Sequence, residues 1–245
     1  MGTVNEDAGS DTSLCLALTK IFMTKTKAYG TSKDMYFIAF EGLDGSGKSS
    51  LLQLLESLLK SRAIDYVITR EPGGTPLGDK IRDLILEKSQ NPPTARTELL
   101  LYEASRAQHV DQLIRPALQS KKWVLTDRFT ASSLAFQGTA RGIGWEKVEA
   151  LNHFATDGLS ADLNVLLDLS VQESEKRRKN REATSGVLAD RIESEAQDFH
   201  QRVRQGFLQA AQVDAQKWLI LDASKPSNEL FIELQKKLIQ LGWIS

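Results

Sequence analysis

The chain contains a single cysteine, Cys15, so it cannot close a disulfide within itself. A reducing, cytoplasmic setting is the expectation. It also lacks any apolar run near the roughly eighteen residues that a membrane span requires. The nearest candidate, "LCLALTKIFM" at 14–23, is interrupted by Lys20 and follows the acidic flank "NEDAGSD", where a secretory signal would be basic. Neither charge is in excess: 31 Lys and Arg face 32 Asp and Glu, a net charge of −1. That balance argues against a protein that coats nucleic acid, whose phosphate contacts demand a basic surplus. Neither nucleic acid nor a membrane is expected as a partner.

What is present is a chain long enough to bury a sizeable core. Residues 1–34 are polar and rich in Ser, Thr and Gly, and are expected to be a disordered extension, with Met23 or Met35 as an alternative start. A targeting or partner-binding helix at 13–24 is the other reading of that stretch. From Met35 onward short apolar runs alternate with segments of helical spacing. "YFIAFE" (36–41), "YVITR" (66–70), "WVLTD" (123–127), "LNVLLDL" (163–169) and "WLILDA" (218–223) read as strands. Helices are expected at 49–60, 79–87, 98–119, 198–212 and 228–241, and "EPGGTPLG" reads as a loop. The alternation predicts one α/β domain over 35–245, with a parallel sheet of about five strands covered by helices on both faces. No linker divides it.

"FEGLDGSGKSS" (40–50) joins the first strand to the first helix. Gly42, Leu43, Asp44, Gly45, Ser46, Gly47, Lys48 and Ser49 match G-x-x-x-x-G-K-[ST], with Ser50 next. Glycines let the backbone curl its N–H groups toward a phosphate, and the helix N-terminus adds partial positive charge. Lys48 then reaches the β- and γ-phosphates, and the Ser49 hydroxyl suits Mg²⁺. The motif predicts a nucleoside triphosphate site, ATP-binding over 42–50, without fixing the reaction. A guanine-nucleotide switch would carry an N/T-K-x-D motif, and none occurs.

Behind this loop follow, in order, "TREPGGTPLGDKIRDLIL" (69–86), "LLYEASRAQH" (100–109), "TDRFTASSLAFQG" (126–138) and "DRIESEAQDFHQRVRQGFLQAA" (190–211). Together they resemble the thymidylate kinases, which make dTDP from dTMP and ATP, and the resemblance runs from about Met35 to the C-terminus. It implies the P-loop fold of nucleoside monophosphate kinases, Mg²⁺ as cofactor, a homodimer and a mobile lid at about 177–190. Arg70, at a strand end where α/β sheets bind ligands, has the geometry to clamp a phosphate, and by resemblance it binds that of dTMP. Tyr102 stands where the family usually has a Phe stacked on thymine, and Arg106 matches the residue at the thymine edge. On the residues alone, the favoured reading is Tyr102 as core and Arg106 as a solvated charge.

Asp127 ends a strand beside the phosphate loop, a place suited to organising Mg²⁺ and its waters, and Arg128 suits phosphate charge. A purely structural ion pair is the alternative. Ser133, Phe136 and Gln137 match substrate-binding positions. The family commonly has Tyr at Phe136, so the ring that crowds C2′ of the sugar is kept while the hydroxyl contact is lost. Asp44 matches an acidic position near the acceptor's 3′-OH and phosphate. Some thymidylate kinases carry a catalytic arginine inside the P-loop. Here Gly45 and Ser46 occupy those positions, so the resemblance is to the lid-arginine, mostly bacterial, kind. Arg177, Lys179 and Arg181 match the lid positions, with Arg181 expected as the main stabiliser of transferred charge. The gap between Arg181 and Asp190 is longer than in many relatives. Glu193 is expected at a Mg²⁺-bound water. The catalytic set so read is Lys48, Asp127, Arg128 and Arg181.

No general base is expected, because the acceptor phosphate is already anionic and positioning with electrostatics suffices. His109, His153 and His200 are expected at the surface or in packing. The alternatives are a kinase for dUMP, dCMP or UMP, and a nucleotide-binding module without turnover.

Overall fold

The computed structural model describes residues 35–245 apart from residue 187. The expected extension over 1–34 lies outside the described residues. Five parallel strands form the sheet: β1 (Phe37–Glu41), β2 (Tyr66–Arg70), β3 (Trp123–Asp127), β4 (Leu163–Asp168) and β5 (Trp218–Asp222), in the order β2-β3-β1-β4-β5. The central strand β1 is buried along its whole length. Its alternating side chains serve two cores. Ile38 and Phe40 pack with leucines of helix α1 (Lys48–Ser61) and the C-terminal helix, while Phe37 and Ala39 pack with Val110, Ile114 and Phe129. This two-sided burial is why the strands read as continuous apolar runs rather than as alternating ones.

Helix α1 turns Leu51, Leu52, Leu55 and Leu59 inward, each contributing about 1.5–3 kcal/mol of burial. Helix α2 (Pro76–Leu86) begins three residues earlier than its apolar spacing suggests. Thr75 caps it by accepting a hydrogen bond from the Gly78 N–H at 3.0 Å, and Pro76 stands in its first turn. Helix α3 (Ala95–His109) runs through a π-helical turn (Val110–Ile114) into α4 (Arg115–Gln119). After β3 come the short α5 (Thr130–Ser133), a second π-helical stretch (Leu134–Ala140) and α6 (Trp145–Thr156). Helix α7 (Val171–Ser185) follows β4, α8 (Gln197–Val213) precedes β5, and α9 (Ser227–Gln240) closes the chain. Among the described residues no helix is long and apolar enough to cross a membrane.

Helix α8 lies closely against the second π-helical stretch, which carries Phe136 and Gln137. Gly206 makes that approach possible, since a Cβ there would stand 2.8 Å from both the Ala135 Cα and the Thr139 Oγ1. Gly→Ala inside a helix ordinarily stabilises by about 1 kcal/mol. Here the sign should reverse: Gly206→Ala is expected to destabilise by about 1–3 kcal/mol through overpacking against backbone. Thermal or urea unfolding of the variant reads this directly, and an unchanged or raised stability would show that α8 can move away.

Candidate active site

The loop after β1 has the backbone that its glycines imply. Gly42, Gly45 and Gly47 all adopt positive φ, and a Cβ on Gly42 would approach the Leu167 carbonyl oxygen to 2.5 Å. Gly47 opens α1 without a side-chain cap, so the first-turn N–H groups remain free to face an anion. Lys48 is buried beneath the loop and donates to the carbonyls of Gly42 and Leu43, each at 3.3 Å. Its ammonium lies 3.7 Å from Asp127 Oδ1 and 4.0 Å from Asp44 Oδ1. Ser49 and Ser50 are exposed in the first turn of α1.

Asp127 and Arg128 leave β3 in a strained turn. Arg128 holds φ 75°, a left-handed conformation that costs a non-glycine residue about 1–3 kcal/mol. Its N–H bonds to the Phe40 carbonyl at 2.9 Å, and its own carbonyl accepts from Thr126 Oγ1. The turn aims the guanidinium across the phosphate loop, donating to the Gly42 carbonyl at 3.0 Å and to Asp44 Oδ1 at 2.8 Å. Burial works to raise the Asp44 carboxyl, but the charges of Arg128 and Lys48 outweigh it and hold the group well below the usual carboxylate range. Directly beneath lies Glu41, wholly buried, accepting from the Phe129 N–H at 2.9 Å and the Ser132 hydroxyl at 2.6 Å. Burial pushes its pKa up to about 7 despite the opposing charge of Arg128.

On the far side of Arg128 is a pocket whose walls include Asp44, Pro72, Arg82, Tyr102, Phe136 and Gln137. The Phe136 ring lies 5.0 Å from the Arg128 guanidinium carbon and packs on Phe207 and Phe199. Burial, and then the charge of Glu98, raises the Tyr102 phenol. Beneath the pocket a buried polar hub fixes the floor. Arg106, 1% exposed, donates to Glu71, Glu103, Ser133, Asn152 and the Phe129 carbonyl. His109 joins it, with Nδ1 3.0 Å from Glu71 Oε1 and Nε2 2.7 Å from Thr69 Oγ1.

Helix α7 closes over the phosphate loop. The Ser174 hydroxyl donates to the Asp44 carbonyl at 2.7 Å, and Arg177 reaches the Gly45 carbonyl at 3.5 Å. Arg178 is buried and bonds the Glu193 carbonyl, and Arg181 pairs with Glu193 Oε1 at 2.6 Å. The segment beyond the helix is tied down by Arg191, which donates to the Ile85 carbonyl at 2.8 Å and to Glu98 at 2.7 Å.

With this geometry in view, comparison with known proteins is decisive. The sequence profile of the thymidylate kinase family matches residues 40–233. The chain belongs to the thymidylate kinase family. A thymidylate kinase of Bdellovibrio bacteriovorus is 59% identical over 206 residues, covering 84% of this chain and 96% of that protein. Thymidylate kinases of Desulfovibrio desulfuricans and Geobacillus thermodenitrificans are 42% and 43% identical, over 82% and 81% of this chain and 94% and 87% of their own lengths.

Within this thymidylate kinase fold several expected residues sit elsewhere than the sequence suggested. Arg70 does not line the pocket. It is 55% exposed, 3.3 Å from Asp79, and borders a separate groove that also carries Ser49 and Asp127. Arg82 takes a place in the pocket wall, its guanidinium anchored on the Pro72 carbonyl at 3.0 Å. Arg106 and Ser133 lie under the pocket, bonded to each other, rather than in its lining. Lys179 is exposed and pairs with Glu175 at 2.7 Å. Two residues along a helix is about 200° of turn, so 177 and 179 cannot share a face, whereas Ser174, Arg177, Arg178 and Arg181 can. Glu193 is engaged by Arg181 and by the Asp190 N–H, and does not border the Ser49 and Asp127 groove. His153 is exposed and His200 is buried beside Phe199, whereas His109 is neither a surface nor a merely packed residue.

Glu41 escaped the sequence reading because it closes an apolar strand. A carboxylate inside such a run is itself the signal that could have found it, since buried acids need partners. Its folded pKa lies above its unfolded value. The stability it contributes is therefore fully present below about pH 4.5 and lost as pH rises through about 7. Glu41→Gln should flatten the stability profile between those values, gaining up to a few kcal/mol over the parent at pH 8, at about 1.4 kcal/mol per pH unit. Melting curves from pH 5 to 8 check it, and parallel profiles for parent and variant would contradict it.

Proposed function

We infer that this protein phosphorylates dTMP to dTDP with ATP as donor. The observation that carries the reading is Arg128, whose guanidinium touches the phosphate loop on one side and lines the aromatic-walled pocket on the other. One cation shared between two phosphate-sized sites suits an end-to-end arrangement of donor and acceptor. An oxygen of the acceptor monophosphate attacks the γ-phosphorus, the bond to the β–γ bridging oxygen breaks, and ADP leaves. Positioning and charge carry such a step, and no proton need be removed from an acceptor that is already anionic.

Roles follow from position. Lys48 neutralises the β- and γ-oxygens, Arg128 and Arg82 hold the acceptor phosphate, Tyr102 stacks on the base and Phe136 crowds C2′ of the sugar. The residues fit a metal ion: Asp127 Oδ1 is buried with no hydrogen-bond partner among the described residues, and Ser49 borders the same groove. Ser49 and Asp127 would hold Mg²⁺, which when bound with ATP adds positive charge to the phosphoryl oxygens. Arg177, Arg178 and Arg181 supply further charge from α7. A homodimer through helices is supported by Leu77 and Leu84, seven residues apart on α2, and Leu100 on α3, all more than half exposed. The cytoplasm, where ATP and reductant meet a single-cysteine chain, is the expected location.

Turnover of the unmodified protein with ATP·Mg²⁺ against dTMP, dUMP, dCMP, UMP and dGMP tests the activity, following ADP and the diphosphate product. Fast conversion of dTMP, slower dUMP and poor ribonucleotides are expected, and no conversion of any monophosphate with ATP still bound would overturn the reading. The lid assignment has its own test. Arg181→Ala should lower kcat by about 10² or more with little change in ATP affinity, since charge-stabilising arginines contribute about 10³–10⁵ in rate. Lys179→Ala should stay within about twofold of the parent, as an exposed pair contributes little. Equal losses in both variants would return Lys179 to the site.

A further inference from the structure

Glu98 stands in the first turn of α3, outside the pocket lining, yet it is 1% exposed and bonded on every side. Its Oε1 accepts from Gln137 Nε2 at 2.9 Å and from Arg141 Nε at 3.1 Å. Its Oε2 accepts from Arg141 at 3.0 Å and from Arg191 at 2.7 Å. Burial works to raise this carboxyl, and the hydrogen bonds from Arg141 and Gln137 outweigh it and hold it below the usual carboxylate range. At neutral pH it is therefore a carboxylate, which only accepts.

The consequence falls on Gln137. An amide is nearly isosteric under a half turn that exchanges its oxygen and nitrogen, so neighbouring groups decide which way it faces. Facing an acceptor, Gln137 must turn its NH₂ toward Glu98, and its carbonyl oxygen then belongs to the pocket side. The amide edge so presented has an acceptor and a donor in one fixed order. A pyrimidine with N3–H and C4=O offers the complementary order, and one with bare N3 and a C4 amino group offers the reverse. We propose that Glu98 is a positioning residue that pins the Gln137 amide in the orientation that accepts from a base N3–H, and that this pin, rather than pocket shape, sets the preference for a thymine-like over a cytosine-like edge. The inference rests on the dTMP reading above. The two arginines keep Glu98 from turning away, so the orientation exists before a base arrives.

The pair dTMP and 5-methyl-dCMP isolates that edge, since the two differ only at N3 and C4. The experiment measures kcat/KM for both with the parent, Glu98→Gln and Glu98→Asp, alongside melting temperatures. A glutamine at 98 keeps its oxygen on Arg141 and Arg191 and turns an NH₂ toward Gln137, which favours the reversed amide. The ratio of dTMP to 5-methyl-dCMP should then fall about tenfold or more, the size of one hydrogen bond of discrimination. Aspartate, still acceptor-only, should keep the ratio within about threefold even where the rate falls. A general loss of packing lowers both substrates together and leaves the ratio alone. A parent that uses both monophosphates equally well overturns the proposal without any variant. So does an unchanged ratio in a folded Glu98→Gln, or an equal fall in both variants. A parent that turns over neither removes the dTMP reading itself, which separates the two failures.

Discussion

One guanidinium holds the centre of this molecule together. Arg128 leaves the end of β3 in a left-handed conformation, and its side chain spans from the Gly42 carbonyl to the Asp44 carboxylate. The backbone strain is offset by contacts that no relaxed conformer of the turn would make. Around this one charge lie two carboxylates with opposite fates. Asp44 touches it directly and is held ionised. Glu41 lies deeper, bonded only to neutral donors, and burial lifts it to about 7. Even with Arg128 and Lys48 near, low-dielectric surroundings penalise the charged form of so deeply buried a carboxyl as Glu41.

The same logic explains the buried hub under the pocket. Arg106 and His109 lock Glu71 from two sides, and Ser105 accepts from the Gly73 N–H at 3.0 Å. Each contact fixes the loop from Glu71 to Gly74, whose outer surface forms part of the pocket wall. Gly74 leaves no room for error, since a Cβ there would fall 2.5 Å from Thr69 Oγ1 and 2.7 Å from His109 Nε2. Polar networks this enclosed are costly where a member stays unpaired, as Glu103 Oε2 does among the described residues.

How much of this was legible beforehand depended on how each residue announces itself. The strands were readable because burial on both faces makes them unbroken apolar runs, and the phosphate loop because backbone curvature demands glycine at fixed spacing. Helices α6 and α7 were not read. In α7 the inward positions are Val171, Ser174 and Arg178, and a face built of a serine and an arginine carries no apolar period to detect. The site residues divide along the same line. Asp44, Lys48, Asp127 and Arg128 are placed by local chain geometry, and they lie together around the loop. Arg82 lines the pocket and Arg70 a separate groove, and no local pattern tells which way a strand-end side chain turns. Glu98 is visible only through partners more than thirty residues away, whereas Glu41, whose partners are as distant, also carried a local sign as an acid in an apolar strand.

The phosphate loop is also packed against α7. Gly45 has φ 77°, and a Cβ there would stand 3.2 Å from the Ser174 carbonyl oxygen and 3.3 Å from the Arg177 Cβ. An arginine at that position would be strained in its backbone and crowded at its Cβ. The crowding is produced by α7 itself, whose first turns rest on the loop. A helix packed this closely presents successive residues at three- and four-residue intervals to the same surface, and the residues there are Ser174, Arg177, Arg178 and Arg181. The serine fixes the helix on the Asp44 carbonyl, Arg177 reaches the Gly45 carbonyl, and Arg178 and Arg181 bond Glu193. Glycine in the loop and arginine on the helix are thus one arrangement: the close approach that requires the first delivers the second.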